Sequence, residues 1–234
     1  MIKQLKKELR KFQRPKKAQV IQRFFKTGKG EYAEGDKFLG LYTGETRKVA
    51  KKYKDLPLSS IKLLLGSVYH EERICAVMIM NMQFVKGAER EKAKVYQFYL
   101  DNIAGINNWD LVDGSADPIM GAYLYNQDDK SILYEFVKSK ALWKRRIAIM
   151  ATYYFIKKGK FEDTLKIAEI LISDKTDLIQ KAVGWMLREV GNRDRKVEEK
   201  FLRKHYKNMG RTCLRYAIEK FPEDLRKKYL LGMI

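Results

Sequence analysis

Helical periodicity runs through nearly every segment of this 234-residue chain, and strand alternation is almost absent. Only four prolines occur. Pro15, Pro57 and Pro222 stand where helices should begin or have just ended, and Pro118 follows Asp117. The pattern predicts helices over 2–12, 16–27, 45–54, 59–66, 70–85, 89–103, 107–124, 129–137, 141–157, 161–172, 176–190, 194–206, 211–220 and 223–230. The stretch from Thr27 to Gly44 is the one long irregular segment. Its Gly28-Lys29-Gly30 lacks the Gly-Lys-Ser/Thr ending and the preceding strand of a phosphate loop, so a connector that packs or contacts a backbone is expected there.

A degenerate repeat organises these helices. Glu72-Arg73-Ile74-Cys75-Ala76, Arg145-Arg146-Ile147-Ala148, Gln180-Lys181-Ala182-Val183 and Arg211-Thr212-Cys213-Leu214-Arg215-Tyr216-Ala217 share a plan. Each opens on polar or basic residues and passes through a small residue into an apolar run. The alanines advance from 148 to 182 (34) and from 182 to 217 (35), and 76 to 148 (72) is two such steps. The missing step falls at Asp113 to Ala116, and Trp109 and Trp143 are likewise 34 apart. Helix pairs recurring at this period predict an all-α fold, a right-handed α-solenoid of HEAT-like repeats forming a single domain over 1–234. Stacked units align equivalent helices along a concave face, where their polar openings would line a groove.

The charge says what such a groove would attract. Lys+Arg 49 against Asp+Glu 29 leaves +20, with a sequence pI near 9.7. A polyanion is favoured as partner, nucleic acid first and an anionic membrane surface second, while a merely solvated basic surface is the bland alternative. The apolar fraction of 45% is enough for a packed core. Cys75 and Cys213 sit in apolar helical patterns far apart, as buried thiols of a reducing compartment do. With only His70 and His205 besides, no zinc-ligand spacing exists. The amphipathic start MIKQLKKELRKF lacks a signal-peptide core, and no apolar run is long enough to span a membrane. A cytoplasmic, metal-free and cofactor-free protein is expected.

Against that positive charge, Asn107-Asn108-Trp109-Asp110-Leu111-Val112-Asp113 holds an aromatic and a carboxylate one helical turn apart. Trp109 and Asp113 share a face and can meet one ligand. A carboxylate aimed at a phosphate-binding groove opposes binding unless the ligand or transition state becomes positive. Singly, the residues read otherwise: Trp109 and Trp185 as core, Asp113 as a surface carboxylate or cap, Arg145 and Arg146 as a solvated face. The repeat phase brings Trp109/Asp113, Arg145/Arg146 and Gln180/Lys181 onto neighbouring helices of one predicted face.

Several ordered blocks also resemble a known family: FFKTGKGEYAEGDKFLGL at 24–41, HEER at 70–73, INNWDLVDGSA at 106–116 and LWKRRIAI at 142–149. FEDTLKIAEIL at 161–171, DLIQKAVGWMLREVG at 177–191 and RYAIEKFPE at 215–223 continue the series. Through nearly its whole length the chain is similar to the AlkD-type DNA alkylation-repair glycosylases. The resemblance implies a HEAT-like α-solenoid that binds duplex DNA in a basic concave cleft and releases N3- or N7-alkylated purines. It further implies that Asp113 is the catalytic aspartate, Trp109 and Trp185 the cleft tryptophans, and Arg146 the cleft arginine. There are departures. Asn108 stands where some members have a second tryptophan, and Phe24 where some have a backbone-contacting tyrosine. These bear on lesion range and on the grip on DNA.

An alkylated N3 or N7 purine is cationic, and as it departs positive charge moves onto the sugar. A fixed carboxylate there stabilises charge that develops only in the transition state. Asp113 is thus expected as electrostatic stabiliser and water-orienting group, Trp109 and Trp185 as flanks of the sugar, and Arg146 as a phosphate clamp. Lys144, Arg145, Lys181, Phe24 and Lys29 are candidate DNA contacts. No lysine or terminal amine is signalled for a Schiff base. The expected protein is a monofunctional, monomeric DNA glycosylase of the 3-methyladenine/7-methylguanine type, nucleoid-associated when bound. The alternatives are a non-catalytic HEAT-like nucleic-acid-binding module and a protein-binding scaffold.

Overall fold

The computed structural model describes residues 1–234, in two compact units, Met1–Ile119 and Met120–Ile234. Both are helical, and the one β-type contact is an isolated parallel bridge between Lys37 and Tyr69. The all-α repeat class read from the sequence is the class of this fold. No helix is long and apolar enough to cross a membrane.

The first unit contains α1 (Ile2–Arg10), α2 (Pro15–Phe24), α3 (Thr43–Lys52), α4 (Leu58–Leu65), α5 (His70–Lys86), α6 (Glu89–Asp101) and α7 (Trp109–Asp113). The second contains α8 (Ala122–Tyr125), α9 (Ser131–Val137), α10 (Leu142–Ala151), α11 (Tyr153–Lys157) and α12 (Glu162–Leu171), then α13 (Asp177–Gly191), α14 (Arg195–His205), α15 (Arg211–Ala217) and α16 (Glu223–Leu231). Every predicted helix is present, and outside two interrupted ones its ends move by no more than three residues (27 against 24 in α2).

The two interruptions have local causes. The helix expected over 107–124 is α7, a π-helical turn Ala116–Gly121 and α8. Pro118 lacks the N–H that would bond to the carbonyl of Gly114 four residues earlier. Asn81 on α5 supplies a donor instead, Nδ2 reaching that carbonyl at 2.7 Å. Ser115 meanwhile turns its hydroxyl back onto the Leu111 carbonyl at 2.6 Å. The helix expected over 141–157 breaks at Thr152. Its hydroxyl and amide both bond back to the Ile149 carbonyl, which tightens the turn between α10 and α11.

One long helix centres each unit. In the first, α5 packs against α3, α4 and α6, burying Cys75, Ala76, Ile79 and Met80 completely. In the second, α13 packs against α10, α12, α14 and α15, burying Ile179, Ala182, Val183, Met186, Leu187 and Val190. Each large apolar side chain so removed from water contributes roughly 1.5–3 kcal/mol. Gly184 sets how near α13 comes to α15, since a Cβ there would lie 2.4 Å from the Cys213 carbonyl oxygen. The repeat alanines Ala76, Ala148, Ala182 and Ala217 are all fully buried, as is Ala116 at the step where the repeat is irregular. The repeat is therefore a core-packing pattern: a small residue where each helix meets its neighbours. Both cysteines are buried, which pushes each thiol up to about 12.

One buried carboxyl in the second unit is only partly compensated, with Arg195 and Arg188 too weakly placed to offset its burial. Glu198, in the first turn of α14, is 2% exposed, and its Oε1 has no hydrogen-bond partner. Burial pushes its pKa up to about 8. The folded protein therefore holds a proton that the unfolded chain releases at ordinary carboxylate pH, so stability falls as pH rises from about 4.5 to about 8. Each pKa unit corresponds to about 1.4 kcal/mol, so several kcal/mol are at stake. Glu198→Gln should raise the urea midpoint at pH 8.5 far more than at pH 4.5. An equal effect at both pH values would show that Glu198 is charged in the fold.

Candidate active site

Four consecutive charged or titratable side chains, His70-Glu71-Glu72-Arg73, open α5, and all are buried. Interior charges persist only when paired and hydrogen-bonded. Together these four tie several separate parts of the first unit to α5. The Glu72 carboxylate takes Lys6 at 2.7 Å and Arg10 at 3.0 Å from α1, and Ser67 Oγ at 2.7 Å. Glu71 accepts the backbone N–H groups of Leu39 (2.9 Å), Gly40 (2.8 Å) and Leu41 (3.2 Å). Arg73 donates to Asp36 and to the Ser67 carbonyl. His70 Nε2 lies 2.7 Å from Asp110 Oδ2 on α7, and its Nδ1 lies 3.5 Å from Asp36 Oδ2.

The segment 36–41 is thereby fixed, although it belongs to the irregular stretch. Leu39 accepts the Arg14 amide at 2.8 Å, and Lys37 bridges to both Val68 and the His70 amide. Gly40 has φ of 84°, and a Cβ there would meet the Arg14 carbonyl at 2.4 Å, so only glycine suits the crossing over α2. Phe38 from this segment stacks on His70, centroids 4.7 Å apart.

Helix α7 is short and held at both surfaces of its first turn. Asn108 is fully buried, its Oδ1 capping the Trp109 amide at 2.8 Å and its Nδ2 reaching Asp36 at 3.3 Å. Asn108 is thus the N-cap of α7. Trp109 is half-buried and stacks on Phe25 with centroids 5.1 Å apart and planes 11° apart. Phe24, 67% exposed, approaches it edge-on at 6.2 Å. Asp113 ends the helix, also half-buried. A cavity of about 590 Å³ opens beside Trp109, walled by Phe24, Phe25, Phe38, Met78, His70 and Asp110.

The charges of this cluster are coupled. Burial works against a charged His70, but the hydrogen bonds to Asp110 and Asp36 outweigh it and raise its pKa. Burial likewise works against a charged Asp36, and His70 and Arg73 reverse that and lower it. Arg73 also lies 3.2 Å from His70 Nδ1, which on its own favours neutral imidazole. Two carboxylates against one guanidinium leave a net negative charge, so the imidazolium prevails.

In the second unit, Arg146 on α10 is buried and donates to the Leu178 carbonyl in the first turn of α13. Trp185 on α13 is half-buried, its indole N–H 3.3 Å from Glu189 and its ring 6.2 Å from Tyr153. Arg145 is tied to Asp174 at 2.8 Å and to the Ser139 and Lys140 carbonyls. Lys181 pairs with Asp177 at 2.7 Å. Lys144 lies over the Phe136 ring at 5.3 Å, and Lys29 is exposed beyond the end of α2. Trp109, Asp113, Phe24 and Lys29 thus belong to the first unit, and Arg146, Trp185, Lys144, Arg145 and Lys181 to the second.

Sequence reasoning passed over His70, Asp36, Asp110, Asn108 and Phe25 as members of the site. Asn108 before a helical run carried an N-cap signal. Four titratable side chains opening an apolar helix, as in HEER, were a signal of buried pairing. No spacing rule joins residue 36 to residue 70 or 110.

The family described as DNA alkylation repair enzyme matches residues 5–221, across both units. Comparison with curated proteins finds no match. Among solved structures, the chain is similar to a predicted DNA alkylation repair enzyme from Enterococcus faecalis, with a TM-score of 0.72 at 16% identity over 90% of this chain and 97% of that one. It is also similar to AlkD2 from Streptococcus mutans, with a TM-score of 0.55 at 18% identity over 88% of this chain and 97% of the other. These identities support the likeness of fold.

The Glu71 anchor is directly testable. Glu71→Gln trades a carboxylate for an amide at three backbone donors, and it should cost about 2–4 kcal/mol in urea unfolding. The amides of Leu39, Gly40 and Leu41 should exchange faster with deuterium. Unaltered exchange at those three amides would remove Glu71 as the support of the segment.

Proposed function

The chain belongs to the DNA alkylation repair enzyme family, and within that role we propose that it is a monofunctional DNA glycosylase acting on cationic N3- or N7-alkylated purines in duplex DNA. The observation that carries this reading is the Trp109/Asp113 pair on α7. Its half-buried aromatic and carboxylate sit one turn apart in a chain of net charge +20. A polyanion-binding protein has little use for a held carboxylate unless positive charge appears beside it.

The reaction supplies that charge. The C1′–N bond breaks with its electron pair going to the base, which leaves as a neutral molecule, and the deoxyribose becomes oxocarbenium-like. Asp113 stabilises this cation electrostatically and orients the water that attacks C1′. The water's proton passes to the carboxylate or to solvent, and the product is an abasic site in an uncut strand. Trp109, its ring braced on Phe25, presents a π-face to the sugar cation and limits access of bulk water. Trp185, half-buried on α13, is proposed as a further aromatic contact to the DNA.

Arg146, buried and donating to the Leu178 carbonyl, is proposed to hold a phosphate only in the DNA-bound state and so fix register. Phe24 and Lys29, both exposed, and Lys144 add contacts to the backbone. Arg145 and Lys181 already engage Asp174 and Asp177, so they meet phosphates as the outer members of ion pairs. The protein is proposed to act as a monomer, without cofactor, in the cytoplasm.

Base release from duplexes containing N7-methylguanine or N3-methyladenine tests the reaction. Asp113→Asn and Asp113→Ala should slow release by about 10²–10³-fold, the usual cost of losing one preorganised electrostatic contact. No release by the native protein on any cationic lesion would leave a non-catalytic DNA-binding module. Equal rates in all three proteins would remove Asp113 from the chemistry.

Arg146→Ala should weaken binding to undamaged duplex regardless of sequence and reduce the slope of log affinity against log salt by about one. A native affinity nearly independent of salt would favour the protein-binding scaffold instead.

A further inference from the structure

Asp110 is the second residue of α7, between Trp109 and the rest of the helix, and its carboxylate is poorly placed for water. Its Oδ2 meets His70 Nε2 at 2.7 Å, while Oδ1 is buried with no hydrogen-bond partner. The contact that satisfies this carboxylate is therefore the imidazole, which is itself 2% exposed between the Phe25 and Phe38 rings. We propose that His70 is a positioning residue for base release, clamping through Asp110 the helix that carries Trp109 and Asp113. The inference rests on the glycosylase reading for its effect on rate, though not for the clamp itself.

The physical reason is that α7 has too few bonds of its own. Five residues make hardly more than one turn, and an isolated helix of that length is not stable in water. Its start is fixed by Asn108 and by the His70–Asp110 contact, and both lead back to the carboxylate of Asp36. Charged His70 offers one N–H to Asp110 and the other towards Asp36, so both acidic groups are neutralised together. When His70 loses its proton, Asp110 keeps a neutral donor but faces uncompensated charge in a desolvated place. The carboxylate can recover only by turning to water, which draws on the first turn of α7 and tilts Trp109 off Phe25.

The charged groups facing His70 are few. Asp36 comes from the segment after Gly35, Arg73 from its own helix and Asp110 from α7. Glu71 and Arg47 line the same cavity, Glu71 with its oxygens committed to residues 39–41. Phe25 presents its ring to the imidazole, and the segment 36–41 presents the Phe38 ring together with Asp36. With its folded pKa raised, charged His70 adds stability that is complete below the ordinary imidazole pKa and is lost as pH rises through the folded value. Base release should follow the same course, without a matching loss of DNA affinity.

The test has two arms. In the first, single-turnover release from N7-methylguanine duplex is followed from pH 5.5 to 9 at saturating protein. The native rate should fall as pH rises, reaching a plateau at least 5-fold lower. His70→Ala should be at least 10-fold slower at pH 6, with duplex affinity changed less than 3-fold. His70→Gln, whose amide can donate to Asp110, should recover much of the rate with a flat pH profile. A His70→Ala protein with native rate and native profile would overturn the proposal, as would a His70→Gln protein that keeps the native pH dependence.

The second arm needs no catalysis. The indole N–H resonance of Trp109, assigned with Trp109→Phe, should shift with the same midpoint as the His70 ring in the native protein and stay still in His70→Gln. A resonance that ignores His70 titration overturns the clamp even if base release is normal. Absence of base release with a coupled resonance overturns the glycosylase reading and leaves the clamp standing.

Discussion

The buried ionic group that opens α5 is the contact on which the first unit depends. His70, Glu71, Glu72 and Arg73 lie where an apolar helix begins, and together they reach several separate parts of the chain: α7, residues 39–41, α1 and Asp36. Charges taken out of water cost several kcal/mol each unless geometry and hydrogen bonding are nearly complete. That penalty makes the arrangement selective. A nonpolar contact tolerates sliding, whereas a carboxylate that must take three particular backbone N–H groups fixes its segment to within a hydrogen-bond length. The long irregular stretch thus acquires a defined path without a helix of its own, and Phe38 and Asp36 are delivered to the Trp109 side of the unit.

Through that group the apolar and polar halves of the candidate site become one construction. Phe25 braces Trp109 from below, His70 is packed between Phe25 and Phe38, and the same imidazole holds Asp110 beside Trp109. The carboxylate proposed to face a sugar cation is therefore carried on a helix whose start is set by charge and whose flank is set by ring stacking. Electrostatic stabilisation of a transient cation requires such fixity, because a carboxylate free to reorient would spend the transition-state interaction on its own reorganisation. The +20 charge answers a different need in the proposed function, where it would draw a duplex in without regard to sequence or lesion.

Much of this was legible before the fold. The helices, the small-residue repeat and the buried thiols follow from the 3.6-residue period and from where apolar side chains recur. The repeat alanines are buried at each step, and no two predicted helices exchanged identity. The two interrupted helices show the limit of periodicity. At 107–124 the apolar pattern continues past Asp113, but Pro118 removes a backbone donor and Asn81, distant in sequence, supplies the replacement. At Thr152 a side-chain hydroxyl competes for the Ile149 carbonyl. Neither effect has a period. Similarly, Arg145 and Arg146 look alike in sequence, yet one pairs with Asp174 at 16% side-chain exposure and the other is buried against the Leu178 carbonyl.

The sequence by itself determined the helical class, the net charge, the family and the spacing of Trp109 and Asp113 on one helix face. All of these are properties of short windows or of simple sums, or of ordered blocks that survive without coordinates. Only the tertiary structure decided that His70 meets Asp110 across 40 residues and Asp36 across 34, that Asn108 is a cap, and that Phe25 lies flat under Trp109. These contacts join residues whose separation in the chain carries no signal. Their pairing is set by the penalty for leaving buried charge unmatched, which acts only once the helices have packed and water has gone.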